Sequence, residues 1–540
     1  MSKTIVVLGG AVSGPAAAAR AREIDEEARI ILIERNKNVS YAACGLGLYL
    51  SGRVGSRAAL DSEGPLYLEQ NFGVEVRTET AVDAIQAREK RLTIRTGTKS
   101  EEIAYDALVY ALGAASIQPE EATNLCCFRN LEDLKAIENA LERGKRVVVL
   151  GAGPLGLEAA GALIERGAEV SILERQPQLL PRAGSAIGGA LRELLEKKAT
   201  VVTGVQNEGF EKDAGLISAV RLEDGRRLEC DLVVAAIGLS PRTELLRQAG
   251  AHLLRDGTIA VDSRCRTSLP DVFACGVCVS VRRQHGMDWS WIPQASLADR
   301  TAQVAGANAA GAEFQMPPAS GSMLLQIMDH TYGQTGLPLE LARRQYGDRL
   351  RIATVFAPAT DRFVGNSDSL LLSLLSHESG ALLGVEAWGK SGVDKRIDAA
   401  SAAIAGGLNA SALAGLDLSY TPALEPARDP LNIAATVTLL ARDGRATPLS
   451  AEEFLKGTEY WRVDVSATPL IESDQEIPLE NLRARIDELP TDKSLLFISE
   501  EGRRALLAAR LVSGRRQNNQ QCRYLEGGTR LLAMTARAVS

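Results

Sequence analysis

Long apolar runs are missing from this 540-residue sequence. No stretch approaches the ~18 consecutive apolar residues that a membrane-spanning helix needs, so no span is expected. An excess of positive charge is missing too. With 61 Lys+Arg against 68 Asp+Glu the net charge is −7, which argues against general binding to nucleic acid or to an anionic membrane. The four histidines, His252, His285, His330 and His377, share no metal-ligand spacing, and no metal is expected. The eight cysteines are too dispersed for the disulfide framework of a small secreted domain. The chain runs from Met1-Ser2-Lys3-Thr4 straight into an apolar strand, unlike a signal peptide, so a cytoplasmic protein is expected. A chain this long outgrows a single core, and roughly three to four domains are expected.

Glycine is plentiful, at 49 residues, and its placement is informative. Thr4 to Leu8 reads as a buried strand that meets Gly9-Gly10-Ala11-Val12-Ser13-Gly14. An alanine-rich helix from about Pro15 to Ile24 follows, then a second strand, Arg29 to Ile33, closed by Glu34. Strand, glycine turn, helix, strand and acid form the order of a dinucleotide-binding unit. Gly9 permits the tight turn and Gly14 the close packing of helix on sheet. Pyrophosphate then sits on the helix N-terminus and Glu34 receives a ribose. Ala11 replaces the middle glycine of the pattern. A second copy begins at Arg146, with Gly151-Ala152-Gly153-Pro154-Leu155-Gly156, a helix, and a strand Glu169 to Leu173 ending at Glu174. An acid there suits the free ribose hydroxyls of NADH, while Arg175 beside it admits NADPH. The segments Tyr105 to Gly113 and Asp231 to Gly238 are buried-strand patterns that return the chain between the two units, and a helix is expected over Ala295 to Ala310.

Between the first turn and the rest lies Asn38 to Gly52, which carries Cys44 among small and apolar residues. Cys44 is followed by Gly45 where a helix would begin, and a helix N-terminus lowers a thiol pKa and favours the thiolate. The alternative is a buried cysteine acting as a small hydrophobe. No Cys-x-x-x-x-Cys pair surrounds it, so any second sulfur has to come from a substrate.

The glycine turns, Val39-Ser40-Tyr41-Ala42-Ala43-Cys44-Gly45-Leu46, Arg129-Asn130-Leu131-Glu132-Asp133, Trp291-Ile292-Pro293 and Val393-Asp394-Lys395-Arg396-Ile397-Asp398 together resemble the single-cysteine branch of the flavoprotein disulfide reductases. That branch includes coenzyme A disulfide reductases, NADH oxidases and NADH-dependent persulfide reductases. From about residue 447 the chain resembles the rhodanese-like domain fused to some of them. The resemblance implies an α/β protein with two Rossmann-like dinucleotide-binding domains, an α+β dimerisation domain and a C-terminal rhodanese-like α/β domain. The implied boundaries are 1–113 with 244–318 for FAD, 114–243 for NAD(P), 319–440 for the homodimer interface, and 447–540. Implied FAD and nicotinamide contacts are Gly9, Gly10, Ala11, Gly14, Glu34, Arg35, Ser40, Val82, Gly113, Arg129, Gly151, Gly153, Gly156, Glu174, Gly238, Gly276 and Val277. Cys44 is the implied catalytic thiol, and Tyr420, in Leu418-Ser419-Tyr420-Thr421-Pro422, matches the tyrosine placed near the partner's cysteine. Electrons would pass from NADH, or NADPH, through FAD to a low-molecular-weight thiol, disulfide or persulfide engaged by Cys44.

The chain departs from that family at defined places. Val277 stands where an aspartate usually reaches the flavin's ribityl chain, which predicts FAD bound through its other contacts, but less tightly or with a shifted ribityl chain. Arg362 and Phe363 stand where tyrosines are expected. Glu69, Asp299 and Gln303 stand where coenzyme A users carry basic or amide side chains, which argues against coenzyme A. In the C-terminal loop Leu495 to Arg504, Ser499 replaces the sulfur-accepting cysteine, which predicts a catalytically inactive module. Cys275-Gly-Val-Cys278 is read as buried structural thiols and Cys126-Cys127 as packed thiols. The rival readings are an NADH oxidase using oxygen, a flavin-bound redox sensor or scaffold, and a sulfur-tailoring enzyme of a specialised pathway.

Overall fold

The computed structural model describes residues 2–60, 64–286, 289–365, 368–457, 459–516 and 521–539. The chain divides into two compact units. The first comprises Met1–Gly151, Leu155–Ser171 and Glu208–Gly321; the second comprises Ala152–Pro154, Ile172–Asn207 and Ser322–Ser540.

In the first unit five parallel strands lie in the order Val272–Ala274, Ala107–Tyr110, Thr4–Leu8, Arg29–Ile33, Glu75–Arg77. Four of these short runs are largely buried, because crossover helices cover them, while the edge strand Glu75–Arg77 is half-buried. One covering pair is the helix Ser13–Ile24 with the helix Ala295–Ala309, one residue shorter than expected from sequence. Their backbones approach so closely that a Cβ on Gly306 would lie 2.2 Å from the Ala17 carbonyl oxygen. The first helix starts at Ser13, two residues earlier than its composition suggested, because Pro15 is tolerated in a first turn. The same unit pairs Arg146–Leu150 with Leu232–Ala235, and that strand with Leu125–Cys126, all in parallel.

The second unit holds a five-stranded antiparallel sheet in the order Met323–Ile327, His330–Gly336, Leu382–Gly389, Ser369–His377, Leu350–Pro358. Helices Val393–Ala405 and Pro430–Arg442 pack their apolar faces on it. A separate parallel sheet follows, ordered Thr447–Leu449, Cys522–Leu525, Leu495–Ile498, Trp461–Asp464, Gln475–Glu476. Its C-terminal helix, Gly528–Val539, crosses the helix Ser185–Leu195. There Gly189 leaves room for the Met534 carbonyl, which a Cβ would meet at 1.7 Å. Among the described residues no helix is long and apolar enough to cross a membrane.

Candidate functional site

Both glycine turns fold alike. After the strand Thr4–Leu8, a Cβ on Gly14 would lie 1.7 Å from the Gly9 carbonyl oxygen, so only glycine lets the helix start this close to the turn. Glu34 fixes the turn from below: its Oε2 accepts the Gly10 N–H at 2.7 Å and its Oε1 the Asn36 N–H at 2.8 Å. The second motif repeats the arrangement. A Cβ on Gly156 would lie 1.9 Å from the Gly151 carbonyl oxygen. In the second unit, buried Glu174 accepts the Ala152 N–H at 2.8 Å and the Gln176 N–H at 2.9 Å. Gly153 has open space where its side chain would be, and Gly238 is exposed.

Other implied contacts gather around the first turn. Ser40 takes a left-handed backbone (φ 54°) while its N–H donates to the Gly10 carbonyl at 2.8 Å. Gly276 donates its N–H to Thr301 Oγ1 at 2.9 Å, and a Cβ there would meet Ser13 Oγ at 2.6 Å. Val277 accepts the Trp291 indole N–H on its carbonyl at 2.9 Å, and its side chain lies 3.4 Å from a Cβ built on Gly113. Ala11 and Arg35 are exposed, and Val82 is half-buried at a bulge of the strand Thr80–Gln86. Arg129 is half-buried, and its backbone N–H is held by Asp133 Oδ2 at 2.9 Å.

Sequence reasoning missed Arg242. Its exposed side chain donates from the guanidinium to the Leu112 carbonyl at 3.3 Å. Burial, then the like charges of Arg35 and Arg129, push its pKa down. Arg35 and Arg129 act on Arg242 as like charges, and such a cluster of cations suits an anionic ligand such as a dinucleotide pyrophosphate. The residues present therefore suit a dinucleotide such as FAD. No spacing rule points to Arg242, because it comes from a distant strand end.

Cys44 departs from the expectation in one respect. It sits on a 3-10 turn, Ala43–Gly45, and the helix that follows, Leu46–Leu50, has only five residues. Its thiol pKa is raised, first by burial of the surrounding volume and then by the Glu158 carboxylate, with Arg129 opposing. So short a helix supplies little dipole, and desolvation with a like charge outweighs it. The side chain is nonetheless exposed, and the other seven free cysteines are buried or half-buried. Cys275 and Cys278 are fully buried, with the Cys278 thiol donating to the Cys275 carbonyl at 3.2 Å. Beside Cys44, burial and nearby Glu132 and Glu34 push the Tyr41 hydroxyl up to about 12.

In the second unit Tyr420 is exposed, and its hydroxyl donates to Asp361 Oδ2 at 2.9 Å. Arg362 and Phe363 follow on an exposed 3-10 turn. Ser499 is 1 % exposed, and its Oγ accepts the Ala505 N–H at 3.2 Å. Glu69 and Asp299 are exposed and Gln303 half-buried.

Residues 3–308 match the pyridine nucleotide-disulphide oxidoreductase family, and the chain belongs to it. It is thus a FAD-dependent oxidoreductase of pyridine nucleotides. A protein named NADH oxidase from Methanocaldococcus jannaschii is 29% identical over 442 residues, covering 80% of this chain and 97% of that one. The crystal structure of reduced CoADR-RHD from Bacillus anthracis superposes with a TM-score of 0.94 at 28% identity, over 99% of this chain and 98% of that one. A NAD-dependent persulfide reductase from A. fulgidus gives 0.91 at 28% identity, over 98% and 99%. The C-terminal sheet and helices form a rhodanese-like domain.

Proposed function

We propose that the chain passes electrons from NADH or NADPH to a low-molecular-weight disulfide, persulfide or thiol adduct through Cys44. The observation that carries this reading is that Cys44 alone, of eight cysteines, is exposed. Its thiolate attacks a substrate sulfur, forming a mixed disulfide and expelling a thiolate. FAD, when bound, supplies the two electrons that return Cys44 to its reduced form. Gly9, Gly10, Ala11, Gly14, Glu34, Arg35, Ser40, Val82, Gly113, Arg129, Gly276 and Val277, together with Arg242, would hold FAD. Gly151, Gly153, Gly156, Glu174 and Gly238 would hold the nicotinamide nucleotide.

The chain works as a cytoplasmic homodimer, in which Tyr420 serves the partner's Cys44. Its exposure and its bond to Asp361 support a hydroxyl waiting for a surface to complete it. Exposed Glu69 and Asp299 disfavour the phosphates of coenzyme A. The rhodanese-like domain is inactive as a sulfurtransferase, because a buried serine hydroxyl cannot carry sulfane sulfur. The test is anaerobic reduction of the yellow protein by NADH and by NADPH, then reoxidation by a panel of disulfides and persulfides. Cys44→Ser should abolish reoxidation by every sulfur acceptor. Full turnover of NADH with oxygen in that variant, and none with sulfur acceptors in the wild type, would establish an oxidase instead.

A further inference from the structure

Glu158 belongs to the helix Pro154–Glu165, two residues beyond the second glycine turn, and the reading above gives it no task. Its carboxylate is half-buried and lies against the short helix Leu46–Leu50 that follows the Cys44 turn. A Cβ on Gly47 would meet Glu158 Oε1 at 2.8 Å, so glycine there is what lets the carboxylate rest on the backbone. Gly47 follows Cys44 by three residues, one turn along the 3-10 and helical path, and therefore shares its face. Glu158 is thus brought to the same side of this turn as the sulfur.

We propose that Cys44 and Glu158 operate as a proton-sharing pair. This rests on the reading of Cys44 as the reactive sulfur. Cys44–SH gives its proton to the Glu158 carboxylate, and the thiolate attacks a substrate disulfide, R–S–S–R. The Cys44–S–S–R bond forms as the substrate S–S bond breaks, and the departing RS⁻ takes the proton back from Glu158. The sum is Cys44–SH plus RSSR giving Cys44–SSR plus RSH, with the carboxylate regenerated and no other reactant needed. The Glu158 charge acts on the Cys44 thiol, and two acids coupled in this way do not ionise independently, so that one negative charge moves between them. Burial raises the Glu158 pKa, which suits a carboxyl that must hold a proton briefly. Arg129 is the cation that favours the thiolate. Glu132 and Asp133 act on neighbouring Tyr41, and Glu138, Arg57 and Arg166 on Tyr49, and none of these is a cause of the shift at Cys44.

The experiment uses holoenzyme and two readouts, with alkylated cysteines located by peptide mass mapping. In Glu158→Gln the iodoacetamide rate at Cys44 should rise about tenfold at pH 7, because a like charge has been removed and the profile moves about one unit to lower pH. Mixed-disulfide formation with a small disulfide should instead fall roughly 100-fold, because the leaving thiolate has lost its proton source. Glu158→Asp, which keeps the acid, should lie between the two proteins in both readouts. An unchanged alkylation profile overturns the pairing. So does a fall in both rates, which marks structural damage, or a rise in both, which marks simple suppression of the thiol. If Cys44→Ser is alkylated as fast as the wild type, the fault lies instead in the assignment of Cys44 as the reactive sulfur.

Discussion

Glu526, at the end of the rhodanese-like domain's strand Cys522–Leu525, accepts the backbone N–H of Thr354 at 2.7 Å. Thr354 lies on Leu350–Pro358, the edge strand of the antiparallel sheet, so the carboxylate caps an amide that would otherwise lack a strand partner. Glu386 does the same for the Gly184 N–H at 3.0 Å. Both carboxyls are buried, and burial pushes each up to about 7, with the backbone donors opposing.

These two groups make stability depend on pH. Their pKa is higher in the folded than in the unfolded state, so the folded chain holds more protons between the ordinary carboxylate range and about 7. Their contribution is complete below about pH 4.5, declines as pH rises through about 7, and is flat above that. Each ionisation costs up to about 3 kcal/mol. Melting of wild type and Glu526→Gln at pH 5.5 and pH 8 checks this. Relative to wild type the variant should gain at the higher pH, and parallel profiles would refute the assignment.

Arg396 is 1 % exposed and makes a 2.9 Å salt bridge to Asp429 Oδ2. It also donates to the Gly392 carbonyl at 3.0 Å and the Ala359 carbonyl at 3.2 Å. Arg396→Ala leaves a buried carboxylate uncompensated and should cost about 3–5 kcal/mol. Urea titration of the variant reads this directly; a loss under about 1 kcal/mol would mean that Asp429 has found another partner.

Gly14→Ala forces a methyl group into the Gly9 carbonyl. The helix start must move, taking with it the N–H groups that we propose face the FAD pyrophosphate. The purified variant should lose most of its bound flavin, read from the 450 nm to 280 nm absorbance ratio. Retention of a full flavin complement would refute the role of this turn.

Ser499→Cys should not confer thiosulfate sulfurtransferase activity. The side chain at this position is sealed, with only 1 % of the residue exposed, and its Oγ is engaged by the Ala505 N–H. A thiol placed there is desolvated and has no route to a donor. Cyanide–thiosulfate turnover by the variant is the measurement, and an easily detected rate would show that the loop opens.

Local pattern was enough to read the nucleotide turns. The strands Thr4–Leu8 and Arg29–Ile33 occur with the limits read from sequence, and Glu34 and Glu174, read there as ribose ligands, accept backbone N–H groups of their own turns. These features depend on neighbours in the chain: β-branched runs, a glycine where backbone meets backbone, an acid at a strand end. Cys44 was identifiable as the odd thiol for the same reason. Its electrostatics were not, because Glu158 and Arg129 reach it from elements far away in the sequence.

What the sequence determined by itself was the family, the two turns and the setting that singles out Cys44, since each is written in adjacent residues. The tertiary structure alone decided that Arg242 joins Arg35 and Arg129, that Glu158 rests on Gly47, and that Glu526 caps Thr354. Charge acts through space and burial, and neither is a property of spacing along the chain.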